Sequence, residues 1–246
     1  MNKIETLKNW IENCDNIVFF GGAGVSTESG VPDFRSKDGL YNQHDVRFDR
    51  YRPEYLLSHS CLVNEPKVYF EFHRQKMDTR AIEPNFAHKY LAQLEQQGKL
   101  KAVVTQNIDG LHQKAGSKNV YEIHGSALRN YCMHCGKKYP EDYIFSSTED
   151  IPHCTCGGII RPDITLYEEM LPDDAVNRSI DAISKAEMLI IGGTSLTVYP
   201  AASYINYFRG KYLVVINRDP LALTRTTAET LVITDNIGSV FKQAAN

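Results

Sequence analysis

Short apolar runs recur along the chain and are separated by longer segments of mixed polarity. The runs are too short for helices and are rich in β-branched and aromatic residues, so they predict buried strands. The first of them, Ile17 to Phe20, ends at a glycine-rich turn. The predicted strands are residues 17–20, 100–105, 119–123, 164–167, 188–191, 212–216 and 231–234.

Between these runs, apolar residues at helical spacing predict helices. Two further helical pieces begin near Pro53 and Pro66, positions where the missing N–H of proline costs little. Strands that are apolar throughout and alternate with helices predict an α/β fold, a doubly wound parallel sheet with helices on both faces. The predicted helices are residues 3–13, 85–97, 173–185 and 201–208, with a last one from about 238.

The alternation of strands and helices is interrupted twice. Residues 36–51 are polar and predict a mobile loop, and the helical pieces that follow predict a small helical module. Residues 128–163 carry closely spaced cysteines and have the character of an insertion. We therefore predict a large α/β domain from residues 1–35, 81–127 and 164–246, a loop and helical module at 36–80, and a second module at 128–163.

Composition and charge exclude several classes of protein. The 246 residues are 42% hydrophobic and 23% charged, which is typical of a globular protein and excludes disorder and fibres. The net charge of −3 gives no basic face for nucleic acid. No run approaches the length of a membrane span, and the N-terminus has no apolar leader region. We therefore predict a cytoplasmic protein with neither nucleic acid nor membrane as a partner.

The turn after the first strand predicts a phosphate site. Gly21, Gly22 and Gly24 have no Cβ, so the backbone can turn sharply and approach a ligand. Ser26 or Thr27 could then cap a short helix whose positive end attracts phosphate. A plain tight turn is an equally good interpretation of the glycines alone.

The residues after this turn favour the cofactor interpretation. Pro32, Asp33, Phe34 and Arg35 supply an aromatic ring, an acid and a guanidinium, which suit the covering of a bound cofactor better than the filling of a core.

Polar residues also follow the later strands, and ligands of open α/β sheets bind at those carboxyl ends. Asn107 and Asp109 follow the strand at 100–105, although Asn-x-Asp-Gly is also good turn chemistry. His124 ends the next strand and could act as a general base or be a satisfied buried histidine. Thr194, Ser195 and Asn217 could bind ribose hydroxyls or cap helices.

The cysteines are arranged in two close pairs. Cys132 and Cys135 are followed after eighteen residues by Cys154 and Cys156, with glycines beside both pairs. Four thiolates on two turns can enclose one Zn²⁺ and leave no open coordination position, which makes the metal structural. Because the second pair is one residue shorter than usual, His134 or His153 stays an alternative ligand, and free thiols are the other alternative.

Taken together, these motifs resemble those of the sirtuins, the NAD-dependent protein deacylases. The resemblance extends over nearly the whole chain and keeps the order of the family's motifs. It is carried by Gly22 to Ser26 with Ser29 to Arg35, Gln106 to His112, His124-Gly125, the two cysteine pairs, Arg161-Pro162, Gly193 to Leu196, and Asn217.

The resemblance implies a Rossmann-like NAD-binding domain with a small zinc-binding and helical module inserted, and a cleft between them. It implies NAD and one structural Zn²⁺ as cofactors, acylated-lysine proteins or peptides as substrates, and a chain that we expect to be a monomer. The cofactor-binding residues are then Gly22, Ala23, Gly24, Thr27, Asp33, Phe34, Arg35, Gln106, Asn107, Asp109, Gly193, Thr194, Ser195, Asn217, Arg218, Asp219 and Asn236.

The implied reaction moves the acyl group from lysine to ADP-ribose and releases nicotinamide and O-acyl-ADP-ribose. His124 would be the general base on the ribose hydroxyls, and Asn107 and Asp109 would surround the nicotinamide ribose and carboxamide. Phe34 would shield the reactive carbon from returning nicotinamide. The substrate backbone would pair with residues 164–171, and the substrate residues would be Thr165, Leu166, Tyr167, Glu168 and Glu169.

Three departures from the family pattern concern the substrate. Gly21 replaces a usual threonine, and the segment Ile164 to Glu169 replaces the common Val-Val-x-Phe-Gly-Glu, which adds hydroxyls at Thr165 and Tyr167. The stretch Phe70 to Arg74 places Glu71 where desuccinylating members carry Tyr-x-x-Arg. A carboxylate there would repel succinyl, so we expect neutral acyl chains.

Two alternatives to a deacetylase follow from the same residues. A mono-ADP-ribosyltransferase would cleave NAD without an acylated lysine, and a non-catalytic NAD-sensing or ADP-ribose-sensing module would bind nucleotide and release no nicotinamide. Asn107 and His124 speak against the sensor, because a binding module needs no base beside the ribose. No acidic residue ends the strand after the glycine turn, which speaks against a dehydrogenase.

Overall fold

The structure is a computed structural model that describes residues 2–221 and 227–246. Its centre is a six-stranded parallel sheet with the order β3-β2-β1-β7-β8-β9. Its strands are β1 (Ile17–Gly21), β2 (Leu100–Thr105), β3 (Val120–Glu122), β7 (Met188–Gly192), β8 (Tyr212–Ile216) and β9 (Glu229–Ile233). A second, antiparallel sheet has the order β5-β4-β6. Its strands are β4 (Gly125–Cys132), β5 (Lys138–Tyr139) and β6 (Ile160–Ile164).

Helices cover both faces of the large sheet and build most of the helical region beside the small one. They are α1 (Lys3–Asn13), α2 (Pro53–Leu56), α3 (His59–Asn64), α4 (Pro66–Lys76), α5 (Phe86–Gln96), α6 (Leu111–Lys114), α7 (Tyr143–Ser146), α8 (Asp173–Lys185) and α9 (Ile237–Ala244). Short 3-10 helices occupy Ala23–Val25, Thr27–Ser29, Leu40–Asn42 and Ala201–Tyr207.

Strands β1, β7 and β8 carry no charged residue, because both of their faces are buried. On one face, Phe19 and Ile190 pack among side chains of α1, α5 and α9. On the other face, Phe20 and Ile191 pack among side chains of α8 and of the Ala201–Tyr207 helix. This confirms the predicted doubly wound sheet, since a parallel sheet with helices on both faces requires continuous apolar strands.

The small sheet and the helical region have their own cores. Strands β4 and β6 surround a cluster that includes Leu62, Tyr69 and Phe70 from α3 and α4. A further cluster contains Leu56, Leu57, Phe72 and Met77, and Phe34, Tyr41 and Tyr167 pack on its edge. The division into sequence ranges predicted above stays a prediction.

Two sequence predictions are wrong in detail. Residues 164–167 do not form a strand of the large sheet, because the strand lies earlier, at β6, and pairs with β4 in the small one. Gly125 permits this pairing: it has φ +74°, and a Cβ there would lie 2.1 Å from the carbonyl oxygen of Asp163. Ser26 and Thr27 make no side-chain cap at either 3-10 helix after the glycine turn.

No helix within the described parts of the chain is long and apolar enough to cross a lipid bilayer.

Candidate active site

A cavity of about 660 Å³ lies at the carboxyl ends of the parallel strands, against the segment that leaves the small sheet. Strands β1, β2, β7 and β8 end there and deliver Gly22, Gln106, Gly193 and Asn217 to its wall. Substrate sites of doubly wound sheets occur at this edge, and the volume is in the range of small-molecule sites.

The structure brings every predicted catalytic, cofactor and substrate residue to this one cavity. The residues that line it from the sequence prediction are Gly22, Ala23, Gly24, Thr27, Asp33, Phe34, Arg35, Gln106, Asn107, Asp109, His124, Thr165, Leu166, Tyr167, Glu168, Glu169, Gly193, Thr194, Ser195, Asn217, Arg218, Asp219 and Asn236. Lining alone assigns no role, so the roles stay predictions.

The glycine turn closes against the end of strand β7. The Gly24 amide donates to the Gly193 carbonyl oxygen at 2.8 Å. A Cβ at Gly24 would lie 2.8 Å from the Cα of Gly193, and one at Gly22 would lie 3.0 Å from the Cβ of Thr194. These approaches leave no room for a side chain, so the cavity wall here is bare backbone, as a pyrophosphate site requires.

Behind the wall, Ser26 and two side chains of the segment after β2, Asn107 and Asp109, form a buried network. The Ser26 hydroxyl donates to Asp109 Oδ2 at 2.6 Å and accepts from Asn107 Nδ2 at 3.0 Å. The Leu111 amide donates to Asp109 Oδ1 at 3.0 Å. Burial raises the pKa of Asp109, while the bonds from Ser26 and Leu111 oppose that shift. The network fixes the side chains of Asn107 and Asp109 at the cavity.

His88 extends the network, and sequence reasoning missed it. Its Nδ1 accepts from the Asn85 amide at 3.3 Å, so its Nε2 carries the proton and can donate to Ser26 Oγ at 3.4 Å. Burial lowers the pKa of His88 to about 4, which keeps the ring neutral. Nothing in the sequence near His88 indicates this role, because Ser26 lies 62 positions away.

His124 has the orientation of a base. Its Nδ1 lies 2.9 Å from the Gln106 carbonyl oxygen. A carbonyl can only accept, so Nδ1 carries the ring proton and Nε2 keeps its lone pair. Nε2 has no hydrogen-bond partner among residues 2–221 and 227–246, and His124 lines the cavity. Burial lowers the pKa of His124, although the bond to Gln106 opposes the shift. The ring is therefore neutral near pH 7.

The segment after β6 forms one rim of the cavity. The Thr165 amide donates to the His124 carbonyl oxygen at 2.9 Å, and Tyr167 pairs with Leu57 and His59 through its backbone N–H and C=O. Glu169 accepts two hydrogen bonds from the buried guanidinium of Arg161. These contacts attach the rim to β6 and to the start of α3.

Within this rim, two alternate residues are free for pairing. The amides of Thr165, Leu166, Tyr167 and Glu169 all donate within the chain. The amides of Glu168 and Met170 have no acceptor in the parts of the chain that the structure describes. Glu168 has φ +77°, and its carboxylate accepts from the amide and hydroxyl of Ser60 at 2.9 and 2.7 Å. These bonds hold a backbone conformation that residues other than glycine seldom adopt.

Helix α4 does not present to the cavity the residues that the family resemblance implied. Arg74 turns away and donates to the carbonyl oxygens of Ile144, Glu149 and Asp150. Glu71 is half exposed and lies 3.6 Å from Arg47. The cavity is lined instead by Lys76 and Met77. Neither Glu71 nor Arg74 lines the cavity, so Glu71 is not placed to repel a succinyl group there. That reason for expecting neutral acyl chains is wrong.

The four predicted metal ligands lie together. The sulfurs of Cys132, Cys135, Cys154 and Cys156 are all within 4.8 Å of one another. The Cys132 and Cys156 sulfurs are 3.5 Å apart, and those of Cys135 and Cys154 are 3.6 Å apart. A tetrahedron with Zn–S bonds of about 2.3 Å has edges of about 3.8 Å, so the donor set fits Zn²⁺. Neither His134 nor His153 belongs to the group of four.

Comparisons with known proteins agree with this geometry. The profile of the Sir2 family matches residues 22–200. An NAD-dependent protein deacetylase of Clostridium acetobutylicum is 54% identical over 243 residues, which are 98% of this chain and 98% of the relative. An enzyme of the same name from Clostridium perfringens is 56% identical over 242 residues, 97% of each chain.

Solved structures agree as well. A Sir2 complex with a deacetylated p53 peptide and 3'-O-acetyl-ADP-ribose has a TM-score of 0.84 and 33% identity, and the match covers 98% of this chain and 96% of that one. Sir2Tm bound to a propionylated peptide has a TM-score of 0.83 and 34% identity, with 99% and 97% covered.

Proposed function

The chain belongs to the Sir2 family, and from this premise we propose that it is an NAD-dependent protein deacetylase that transfers the acyl group of an acylated lysine to ADP-ribose. One observation carries the proposal: His124, whose Nε2 is unprotonated, lines the same cavity as the glycine turn at Gly22 to Gly24. A base and a pyrophosphate site that share one cavity suit chemistry on a ribose of the bound dinucleotide.

The cofactor residues divide by what they can offer to NAD. The glycine turn, with no side chain at Gly22 and Gly24 and only a methyl at Ala23, receives the pyrophosphate, and Arg35 supplies a cation in the same cavity. Polar groups at the ends of β7 and β8, among them Ser195 and Asn217, bind the adenosine ribose. When bound, NAD supplies an electrophilic ribose carbon with nicotinamide as its leaving group.

Asn107, Asp109 and His124 act at the nicotinamide end. The buried Ser26 network holds Asn107 and Asp109 in one orientation, so no free energy is spent on ordering them when the ligand binds. His124 takes a proton from a ribose hydroxyl through Nε2, while the Gln106 carbonyl holds its Nδ1–H. Phe34 covers the reacting carbon and excludes nicotinamide and water.

The acyl-lysine peptide binds along the rim at residues 165–170. The amides of Glu168 and Met170 have no acceptor among the described residues, so they can donate to the backbone of a bound peptide, although Glu168 lies in a turn and not in an extended strand. Main-chain pairing gives affinity with little choice of sequence, which suits an enzyme with many protein substrates.

One Zn²⁺ bound by Cys132, Cys135, Cys154 and Cys156 holds the turns of the small sheet together. Four protein ligands leave no position for substrate, so the metal is structural. The cytoplasmic location and the monomeric state predicted from the sequence stay predictions.

The test is nicotinamide release from NAD, followed by mass spectrometry with acetyl-lysine peptide, with the unmodified peptide, and with His124→Ala. We expect release that requires the acetyl group, yields O-acetyl-ADP-ribose, and falls at least 100-fold in the variant, the usual contribution of a general base. Nicotinamide release that is equally fast with acetylated and unmodified peptide would indicate ADP-ribosyl transfer instead. Binding of NAD without any release would indicate a sensor.

A further inference from the structure

Two tyrosine hydroxyls meet in the apolar part of the cavity. Tyr167 from the substrate rim and Tyr41 from the loop after the glycine turn place their hydroxyl oxygens 3.1 Å apart. Arg35 donates to the Tyr167 hydroxyl from Nη2 at 3.2 Å. These residues line the same cavity as His124.

The surroundings of this hydroxyl pair are apolar. Tyr41 and Tyr167 pack on the cluster that contains Leu40, Leu57 and Met77. Ile108, which follows Asn107, belongs to the same cluster, so the apolar wall begins beside the catalytic residues. The apolar wall and the two hydroxyls thus line one cavity with the residues at which the acyl group reacts.

The hydrogen-bond inventory leaves a donor unused. Tyr167 accepts from Arg35, and one of the two hydroxyls donates to the other. Each tyrosine has one O–H, so whichever direction this bond takes, the second O–H has no acceptor among the described residues. Burial, and then the bond to Tyr167, raise the pKa of Tyr41 well above its usual range, so that hydroxyl stays protonated.

An unused donor in an apolar wall favours a ligand that brings an oxygen to it. Tyr41 and Tyr167 are half-buried, so a bound acyl chain completes the burial of their hydroxyls. A donor that a ligand buries without an acceptor carries a free-energy cost that a matching acceptor removes. A purely aliphatic acyl chain removes water from the pair without replacing its hydrogen bond.

We infer that Tyr41 and Tyr167 are specificity-determining residues that recognise a short, neutral, hydroxylated acyl group on lysine, with the acyl hydroxyl bound by the tyrosine pair. The inference rests on the proposed deacylase function and names the substrate class of that same site. The oxygen of the ligand hydroxyl accepts a hydrogen bond from the unused tyrosine O–H, and the ligand O–H can donate a hydrogen bond to a tyrosine oxygen.

The test compares two peptides that differ by one oxygen, 3-hydroxybutyryl-lysine and butyryl-lysine in the same sequence, with acetyl-lysine as the baseline. The readout is the ratio of kcat/KM for the hydroxylated acyl group to that for the plain one, measured for the protein without substitution, for Tyr41→Phe and for Tyr167→Phe. We expect the ratio to fall about 3- to 10-fold in each variant, the equivalent of one neutral hydrogen bond.

Tyr69→Phe is the matched control. It removes the hydroxyl of a fully buried tyrosine in α4. This hydroxyl has no hydrogen-bond partner among the described residues, and Tyr69 does not line the cavity. Its ratio should equal that of the unmodified protein.

The possible results separate cleanly. A ratio that is unchanged in both Tyr41→Phe and Tyr167→Phe would overturn the inference, even if both variants lose activity equally on the two peptides, because the pair would then only position the loop. If the protein without substitution does not deacetylate the acetyl-lysine peptide, that result would instead contradict the proposed function. Faster cleavage of succinyl-lysine than of 3-hydroxybutyryl-lysine would also overturn the inference, since Arg35 with two hydroxyls would then serve a carboxylate.

Discussion

At the scale of single residues, the orientation of His124 depends on one backbone acceptor. The Gln106 carbonyl fixes the proton on Nδ1, so the reactive nitrogen is Nε2. The sequence predicted His124 because it follows a strand, and it predicted Asn107 and Asp109 for the same reason. It could not predict Ser26 and His88 as their support, since Ser26 bonds Asp109 across 83 positions and only folding brings them together.

The same residue sets the expected dependence of activity on pH. Burial lowers the pKa of His124 from its usual 6.5, and the base form exists above that pKa. We expect kcat/KM for acetyl-lysine peptide to be flat near pH 7 and to fall as the pH drops through a midpoint below 6.5. The measurement is kcat/KM from pH 5 to 9 at saturating NAD.

Asp109 could produce a similar acid limb, because burial raises its pKa. His124→Asn distinguishes the two residues. If the fall in kcat/KM at low pH is caused by protonation of His124, the residual activity of this variant should no longer show it. A limb with its midpoint above 6.5, or one that persists unchanged in the variant, would contradict the assignment.

At the scale of elements, periodicity predicted the large sheet well and the small one poorly. Strands β1, β2, β7 and β8 are buried on both faces, so their apolar runs stand out in the sequence. Strand β6 reads Ile-Arg-Pro-Asp-Ile, and Arg161 within it is buried by its ion pair with Glu169. A strand that buries an ion pair has no apolar signature, which explains why the prediction placed it four residues late.

Helix α4 is attached to residues 144–150, in the segment that carries the four clustered cysteines, through Arg74. The guanidinium donates to three carbonyl oxygens, at 2.9 Å to Ile144, 2.6 Å to Glu149 and 3.2 Å to Asp150. Arg74→Ala leaves these three carbonyl oxygens without that donor. We expect the free energy of unfolding to fall by about 2 kcal/mol. For a chain of this length that loss corresponds to a fall in Tm of about 4 to 8 °C, measured by circular dichroism.

Lys67→Ala is the control on the same helix. Lys67 forms an ion pair with Asp150 at 2.9 Å, but both side chains are more than two-thirds exposed. Exposed pairs contribute little, so its Tm should hardly change. Equal shifts in the two variants would mean that Arg74 acts through its charge alone and not through the three carbonyl bonds.

At the scale of the whole molecule, the cavity is lined by parts of the chain that have separate cores. The large sheet has clusters on both faces, and the small sheet and helical region have two clusters of their own. His124 is the last residue before β4, and Thr165 follows β6 directly. His124 and the rim at residues 165–170 are therefore attached to the small sheet, while the glycine turn and the ends of β7 and β8 belong to the large one.

This division predicts what removal of the metal does. The single tryptophan, Trp10, lies in α1 and stacks on Tyr212 of β8 at 4.4 Å, so its emission reports on the large sheet alone. A zinc chelator should release one Zn²⁺ per chain and abolish deacetylation, because the turns at Cys132 and Cys154 then lose the metal that joins their four sulfurs. Trp10 emission and its thermal transition should change little.

Cys156→Ser supplies the same test without a chelator, since it removes one ligand from the group of four. Metal content by mass spectrometry, activity and Trp10 emission are then measured on one sample. If Trp10 emission shifts to that of the unfolded chain when zinc is lost, the two sheets unfold as one unit, and the metal stabilises the whole molecule. If activity survives the loss of zinc, β4 and β6 keep His124 and Thr165 in place through their own hydrogen bonds, and the metal is not needed to form the site.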